Sequence, residues 1–333
     1  MSARRVGMAA LLTAGLTLSG CSTVTDPWKD LGGPPRVVVT FPPLASFVKN
    51  VGGEHVGVIC ICTATGPHDY KDPTADDFIA LREANLFLIN GLALDDVLAK
   101  HLKASSGNAK LVFVELGEKL PRKLLLKAEQ EEGDKDKKHD HEHEHGEWDP
   151  HVWLGIPQAC ALVEQIRDQL KEIDRSHAAD YDRNAAKYIE ELKSLQKEYR
   201  DKFAAKKKED RKLVSFHDSL RYFADGFGLE IVDVIEKKPG EELSAAQMND
   251  LVKSCLKEKP RVIAVETQYP EKAADELRNE LKKRELKDVK LVTVDPLETT
   301  DLGGRVKRDD SEWSQWYVRK MRENLDNLLG AMP

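Results

Sequence analysis

The stretch HAADYDRNAAKYIEELKSLQKEYRDKFAAKKK, residues 177–208, decides the architecture. It holds neither Gly nor Pro, and Tyr181, Ala185, Tyr188, Leu192, Leu195 and Tyr199 recur along it at alternating spacings of four and three. That is the single stripe of an amphipathic helix. About thirty helical residues span roughly 45 Å. A rod with one apolar stripe and charge elsewhere lies against other layers rather than inside one. On both sides of it, short β-branched runs alternate with helical patterns. Val37–Phe41, Val56–Cys62, Leu86–Ile89 and Leu111–Val114 read as buried strands before it, and Lys212–Phe216, Glu230–Val234, Val262–Val265 and Val289–Val294 after it. Thr74-Ala75-Asp76-Asp77 opens a helix as a capping box, Leu94–Leu102 forms another, and Ser244-Ala245-Ala246-Gln247 caps one that must stop before Pro260. Alternation of this kind predicts the α/β class: two doubly wound parallel-sheet lobes, residues 36–176 and 209–333, joined by one long rigid helix that permits limited hinge motion.

The chain has 333 residues, 41% apolar and 33% charged, a globular composition. With 51 basic against 58 acidic residues, its formal charge of −7 gives no electrostatic reason to expect nucleic acid as a partner. No apolar run reaches the ~20 residues needed to span a bilayer, so this reading excludes an integral membrane protein. The first twenty residues have the layout of a secretory signal: Arg4 and Arg5, an apolar Val6–Leu18 segment, then Leu18-Ser19-Gly20-Cys21. Small residues running into a cysteine resemble the lipobox of bacterial lipoproteins, which implies cleavage before Cys21 and lipidation of its thiol. Residues 21–35, rich in Ser, Thr, Gly and Pro, read as a flexible lipidated tether. An anchor and a tether together suit a globular body held at a membrane surface outside the cytoplasm. Cys60, Cys62, Cys160 and Cys255 are too few for a disulfide framework, and Cys60 and Cys62 read as a buried strand face.

Four residues stand out by position. His68 lies in Gly66-Pro67-His68-Asp69 just beyond a strand, His151 in Asp149-Pro150-His151-Val152-Trp153-Leu154, and His217 and Asp295 directly after strands. Ligands of open parallel sheets bind beyond the carboxyl ends of the strands. Two of the four fall on each side of the long helix, so facing lobes would bring them to one cleft. Three imidazoles and a carboxylate suit tetrahedral Zn2+ better than Mg2+ or Ca2+, which favour all-oxygen shells. Taken singly, each histidine is an ordinary capping or core residue and Asp295 before Pro296 an ordinary turn residue. Their joint placement carries the reading. A charged insert, residues 127–149, adds His139, His141, His143 and His145 alternating with acids. No apolar residue occurs from Glu129 to Gly146. That composition predicts disorder, and such tracts chelate transition metals loosely as a secondary capture site.

At this point the chain resembles the lipoprotein metal receptors of bacterial ABC importers, specifically the zinc-uptake solute-binding proteins. The likeness rests on Gly66-Pro67-His68-Asp69-Tyr70, Asn90-Gly91-Leu92, Asp149-Pro150-His151-Val152-Trp153-Leu154, Ser215-Phe216-His217-Asp218 and a closing Tyr317–Leu329 helix. The resemblance implies a metal held between two α/β lobes, with His68, His151 and His217 as imidazole ligands and Asp295 as the fourth ligand or a near-site carboxylate. Manganese and iron receptors of that family typically carry Glu where His217 stands, so the resemblance implies zinc as transported ligand. It also implies an ABC permease and its ATPase as partners, a lipid anchor at the periplasmic or outer cell surface, a monomer, and no catalysis. Tyr70-Lys71-Asp72-Pro73 and the charged Asp301–Ser311 stretch depart from the family pattern. The competing readings are a manganese or iron receptor or adhesin of the same fold, and a zinc hydrolase using three histidines and an open position. Against the hydrolase, the chain lacks a His-Glu-x-x-His helix and a Gly-x-Ser-x-Gly elbow.

Overall fold

Four parallel strands build the first sheet: β1 (Arg36–Val39), β2 (Gly57–Cys60), β3 (Leu86–Ile89) and β4 (Val112–Glu115). In this computed structural model, which describes residues 26–70, 72–128, 146–236, 243–268 and 271–333, their order is β4-β3-β1-β2. The three inner strands are buried nearly throughout, which is why their sequence reads as continuous Val, Ile and Leu rather than alternating. Helices α1 (Pro42–Gly52), α2 (Ala75–Glu83) and α3 (Asp96–Ser105) connect them. The capping box at α2 forms as read: Thr74 Oγ1 accepts from Asp77 N–H, and Asp77 Oδ2 accepts from Thr74 N–H at 2.7 Å.

After α4 (Ile156–Ile173) comes the rod, α5 (Ala178–Ala204). Its 27 residues make it about 40 Å long. All six stripe residues are buried, joined by Ile189 and Phe203, and the helix packs on α1 and α4. A second parallel sheet follows, of order β6-β5-β7-β8, from β5 (Lys212–His217), β6 (Glu230–Glu236), β7 (Val262–Val265) and β8 (Lys290–Thr293). Helices α6 (Arg221–Phe227), α7 (Ala245–Glu258) and α8 (Lys272–Lys283) connect these strands. The α7 helix stops two residues before Pro260, with Lys259 in the left-handed conformation.

Two features depart from the sequence expectation. The chain returns to the first sheet after β8: β9 (Arg305–Val306) pairs antiparallel with β2, and α9 (Ser311–Ala331) packs on α1, α5 and β8. The sheet edge is therefore not parallel, and residues 305–331 do not belong to the second lobe alone. A two-residue edge strand arriving from the other lobe needs no crossover helix, so it leaves no periodic trace in the sequence.

The second departure is the tether. Its described part, residues 26–35, is not free. Trp28 and Leu31 are buried, Trp28 Nε1–H donates to the Ala80 carbonyl at 3.1 Å, and the Arg36 guanidinium lies 5.4 Å from the Trp28 ring centroid. Arg305 donates to the Lys29 carbonyl, and Arg308 to those of Leu31 and Gly33. The strap presses so closely on β2 that a Cβ at Gly57 would stand 2.9 Å from the Leu31 carbonyl oxygen. Two large apolar side chains among polar residues are enough to dock the segment. Trp28→Ala should accordingly destabilise the folded chain by about 3–5 kcal/mol in equilibrium denaturation. A loss below 1 kcal/mol would show that the strap contributes nothing to the core.

Cys60, Cys62 and Cys255 are buried, Cys160 is half-buried, and all four are free thiols. Burial raises the Cys60 and Cys62 thiols far above their ordinary range, Cys60 as the last residue of β2 and Cys62 two residues beyond it. Cys21 and His139, His141, His143 and His145 lie outside the described residues.

Candidate metal centre

The carboxyl ends of both sheets deliver the candidate ligands to one place. His217 is the last residue of β5, and His68 sits in the turn after β2, where Asp69 N–H and Tyr70 N–H both donate to the Gly66 carbonyl. His151 lies in the loop before α4, at the entrance to a 3-10 turn over Val152–Leu154. This loop is bolted to both lobes. Asn90 Nδ2 donates to the Pro150 carbonyl at 3.0 Å, Trp153 Nε1–H to the Pro296 carbonyl at 2.8 Å, and Tyr317 Oη–H to the Trp153 carbonyl at 2.6 Å. Asn90 is itself held from below. The buried Asp95 carboxylate accepts from Thr40 Oγ1 and from the N–H groups of Asn90 and Gly91, while burial pushes it up to about 6. The residues shared with the family motifs are thus hydrogen-bonding fixtures around one imidazole.

The rings of His68 and His151 lie 5.7 Å apart by centroid, and those of His151 and His217 5.6 Å. His151 and His217 are buried, whereas the His68 side chain is 30% exposed. Between them projects a carboxylate the sequence reading did not name: Glu298 Oε1 is 3.9 Å from His68 Nε2 and 4.0 Å from His151 Nε2. Among the described residues, His68, His151 and Glu298 form the one group whose ligand atoms all lie within 4.8 Å of one another. A tetrahedral ion with bonds near 2.1 Å separates its ligand atoms by about 3.4 Å. A contraction of about half an ångström would bring Glu298 Oε1 to that spacing from both His68 Nε2 and His151 Nε2. His151 Nε2 and Glu298 Oε1 are buried and make no hydrogen bond among the described residues, the state expected of atoms that face a cation. A side chain at Gly66 would collide with Glu298, its Cβ standing 2.7 Å from Oε2.

Each buried imidazole is backed by its own carboxylate. Asp149 Oδ1 lies 2.8 Å from His151 Nδ1 and also accepts the His151 N–H at 3.0 Å, and Glu266 Oε1 lies 2.7 Å from His217 Nδ1. At His151, bonding Nδ1–H in this way fixes the tautomer, turns Nε2 toward Glu298 and raises its basicity. Burial alone would lower the His151 pKa, but the hydrogen bond and charge of Asp149, with Glu298 and Glu266 behind, outweigh it and raise the pKa overall. Burial pushes Glu298 up to about 7, partly offset by His151 and His217.

Asp295, expected as the fourth ligand or a near-site carboxylate, does not join this group. It stands directly after β8, as read, yet its Oδ1 accepts from Leu297 N–H at 2.8 Å and its Oδ2 pairs with Lys320 Nζ at 3.1 Å. Its backbone is clasped by Asn324, which accepts from Asp295 N–H and donates to the Asp295 carbonyl. The side chain closes its own turn and turns toward α9, and the carboxylate that reaches the imidazoles comes three residues later. Glu266 was also missed, although it directly follows β7 and the strand-end rule that selected His217 would have selected it. Glu298 had no such signal.

Set beside known proteins, residues 37–331 match the family model described as zinc-uptake complex component A, periplasmic. The zinc-binding lipoprotein AdcA of Streptococcus pneumoniae is 31% identical over 326 residues, covering 98% of this chain but 60% of that protein. The chain thus spans about three-fifths of the length of this relative. The manganese-binding lipoprotein MntA of Halalkalibacterium halodurans is 24% identical over 327 residues, covering 97% of this chain and 96% of that one. Among solved structures, the Zn(II)-bound ZnuA-like domain of Streptococcus pneumoniae AdcA superposes with a TM-score of 0.65 at 28% identity, covering 90% of this chain and 99% of that domain.

Proposed function

The chain belongs to the family of the periplasmic zinc-uptake complex component A, and from that premise we propose that it captures Zn2+ outside the cytoplasm and delivers it to the permease of an ABC importer. The family is an uptake component and not an enzyme, which displaces the zinc hydrolase reading. In this proposal His68, His151, His217 and Glu298 hold the ion, and the permease, with its ATPase, takes it from the cleft. The lipid on Cys21 would keep the body at the membrane, and relatives named lipoproteins support that placement. His139, His141, His143 and His145 would supply a weaker, secondary capture site.

The observation that carries the reading is the buried Glu298 carboxylate with the His68 and His151 imidazoles gathered on it and the His217 ring 5.6 Å from that of His151, the two buried rings lying beside Asp149 and Glu266. Three nitrogens and one oxygen form a borderline-soft set, suited to Zn2+ rather than to the oxygen-rich shells that favour Mn2+. The manganese-binding relative makes the competing metal a concrete one. Competition of the purified chain against a calibrated chelator should give one tight Zn2+ site, with Mn2+ at least about 100-fold weaker. Deleting Glu129–Gly146 should remove only additional, weak zinc equivalents, because a tract without apolar residues has nothing from which to build a preorganised pocket. Mn2+ binding as tight as Zn2+ would overturn the zinc assignment.

A further inference from the structure

The hydroxyl of Tyr222 plays no part in the site as described so far, yet it sits where both halves of that site meet. Tyr222 is buried on α6, the helix that follows His217. Its Oη accepts from Leu126 N–H at 2.9 Å and donates to the Asp149 carbonyl at 3.0 Å. Asp149 N–H donates directly to the Leu126 carbonyl at 2.9 Å. In an antiparallel pair of this kind the two residues exchange both bonds directly. Here one bond is direct and the other passes through the tyrosine oxygen. The hydroxyl is inserted into the rung nearest His151. Beyond it the pairing continues without insertion, with Lys127 opposite Trp148 and Ala128 N–H donating to the Glu147 carbonyl. Arg221, the neighbour of Tyr222, donates to the Lys127 carbonyl at 2.7 Å and lies 3.8 Å from Asp149 Oδ2.

We propose that Tyr222 is a positioning residue for His151, and that through it the lobe bearing His217 sets the aim of the imidazole on the other side of the cleft. The inference rests on the reading of His151 as a zinc ligand. Its physical content is a chain of three contacts: the hydroxyl holds the Asp149 peptide away from Leu126, the Asp149 carboxylate holds His151 Nδ1, and Nε2 then points at Glu298 and His68. A ligand misaimed by 10–20° or half an ångström loses productive geometry. Without the hydroxyl the rung can close directly, drawing Asp149 toward Leu126 and carrying the carboxylate with it.

The test uses Tyr222→Phe, which keeps the ring in the core, alongside Asp149→Asn, which acts from the other end of the same chain of contacts, and the double variant. Zinc affinity is measured by chelator competition, metal geometry by the visible spectrum of the Co2+-loaded chain, and integrity by thermal unfolding of the metal-free proteins. We expect Tyr222→Phe to bind Zn2+ about 10–100-fold more weakly, the range for partners that orient a metal ligand. Its Co2+ bands should be altered, and the double variant should bind no more weakly than Asp149→Asn alone. Unchanged affinity overturns the inference, as does a loss with unaltered Co2+ bands and additive behaviour in the double variant. Failure of the unsubstituted chain to bind Zn2+ tightly would be recognisable separately, since it defeats the zinc reading and takes this inference with it.

Discussion

Glu298→Gln should lower zinc affinity by more than about 100-fold, beyond the range expected of a group that merely orients a ligand, while stabilising the metal-free protein above neutral pH. The two effects have one cause. In the folded metal-free chain, burial pushes the Glu298 carboxyl from 4.5 up to about 7. A group whose pKa is raised on folding contributes stability that is fully present below its unfolded value and is lost as pH rises through its folded value. Above about pH 7 the ionised carboxylate therefore costs the metal-free fold about 3 kcal/mol. A glutamine avoids that cost but offers the cation no charge. Thermal unfolding of the metal-free proteins should show Glu298→Gln melting higher than the unsubstituted chain at pH 8, with the gap closing by pH 5. Asp295→Ala should behave in the opposite way. It breaks the Lys320 ion pair and the Leu297 cap, at about 1–2 kcal/mol of stability, and leaves zinc affinity within about threefold. The assignment of the fourth ligand is falsified if Asp295→Ala, rather than Glu298→Gln, abolishes tight binding.

Acidification should release the metal steeply. Three imidazoles and Glu298 must all be deprotonated to bind, and protons compete for each. With His151 shifted upward and Glu298 at about 7, the loss of affinity from pH 7 to 5 should be at least about 100-fold. The sign is the reverse of the Glu298 contribution to metal-free stability, because protonation relieves the empty fold and expels the ion. Chelator competition at fixed ionic strength and half-unit pH steps would measure it. A tenfold change or less would mean that fewer than three titrating ligands hold the metal.

Much of this molecule is legible locally. The stripe from Tyr181 to Tyr199 becomes the buried face of α5 because the 3.6-residue period leaves a charged helix no other way to bury it. Leu86–Ile89 and Val262–Val265 become strands with the bounds read from sequence, since short β-branched runs between turn signals have no competing structure. Thr74 and Ser244 cap their helices through partners three residues away. Two of the three histidines are legible for a similar reason. A strand end in a parallel sheet faces the cleft wherever the strand lies, so for His68 and His217 position along the chain already implies position in space, whereas His151 is placed by the loop before α4.

What the tertiary structure decided is where short polar side chains turn once the strand has ended. Asp295 and Glu298 are equally acidic and lie in the same loop, and nothing within three residues separates their roles. Lys320 and Asn324, carried in by α9 from 25 and 29 residues away, take Asp295 and leave Glu298 to the imidazoles. The same holds for Glu266 behind the His217 ring, for the strap over Trp28, and for the two residues of β9. Each depends on a partner distant in sequence. A loop side chain has several rotamers of nearly equal energy, and one hydrogen bond worth about 1 kcal/mol is enough to choose between them. Periodicity and capping act through neighbours and survive in the sequence, whereas such a choice exists only after the lobes have closed on one another.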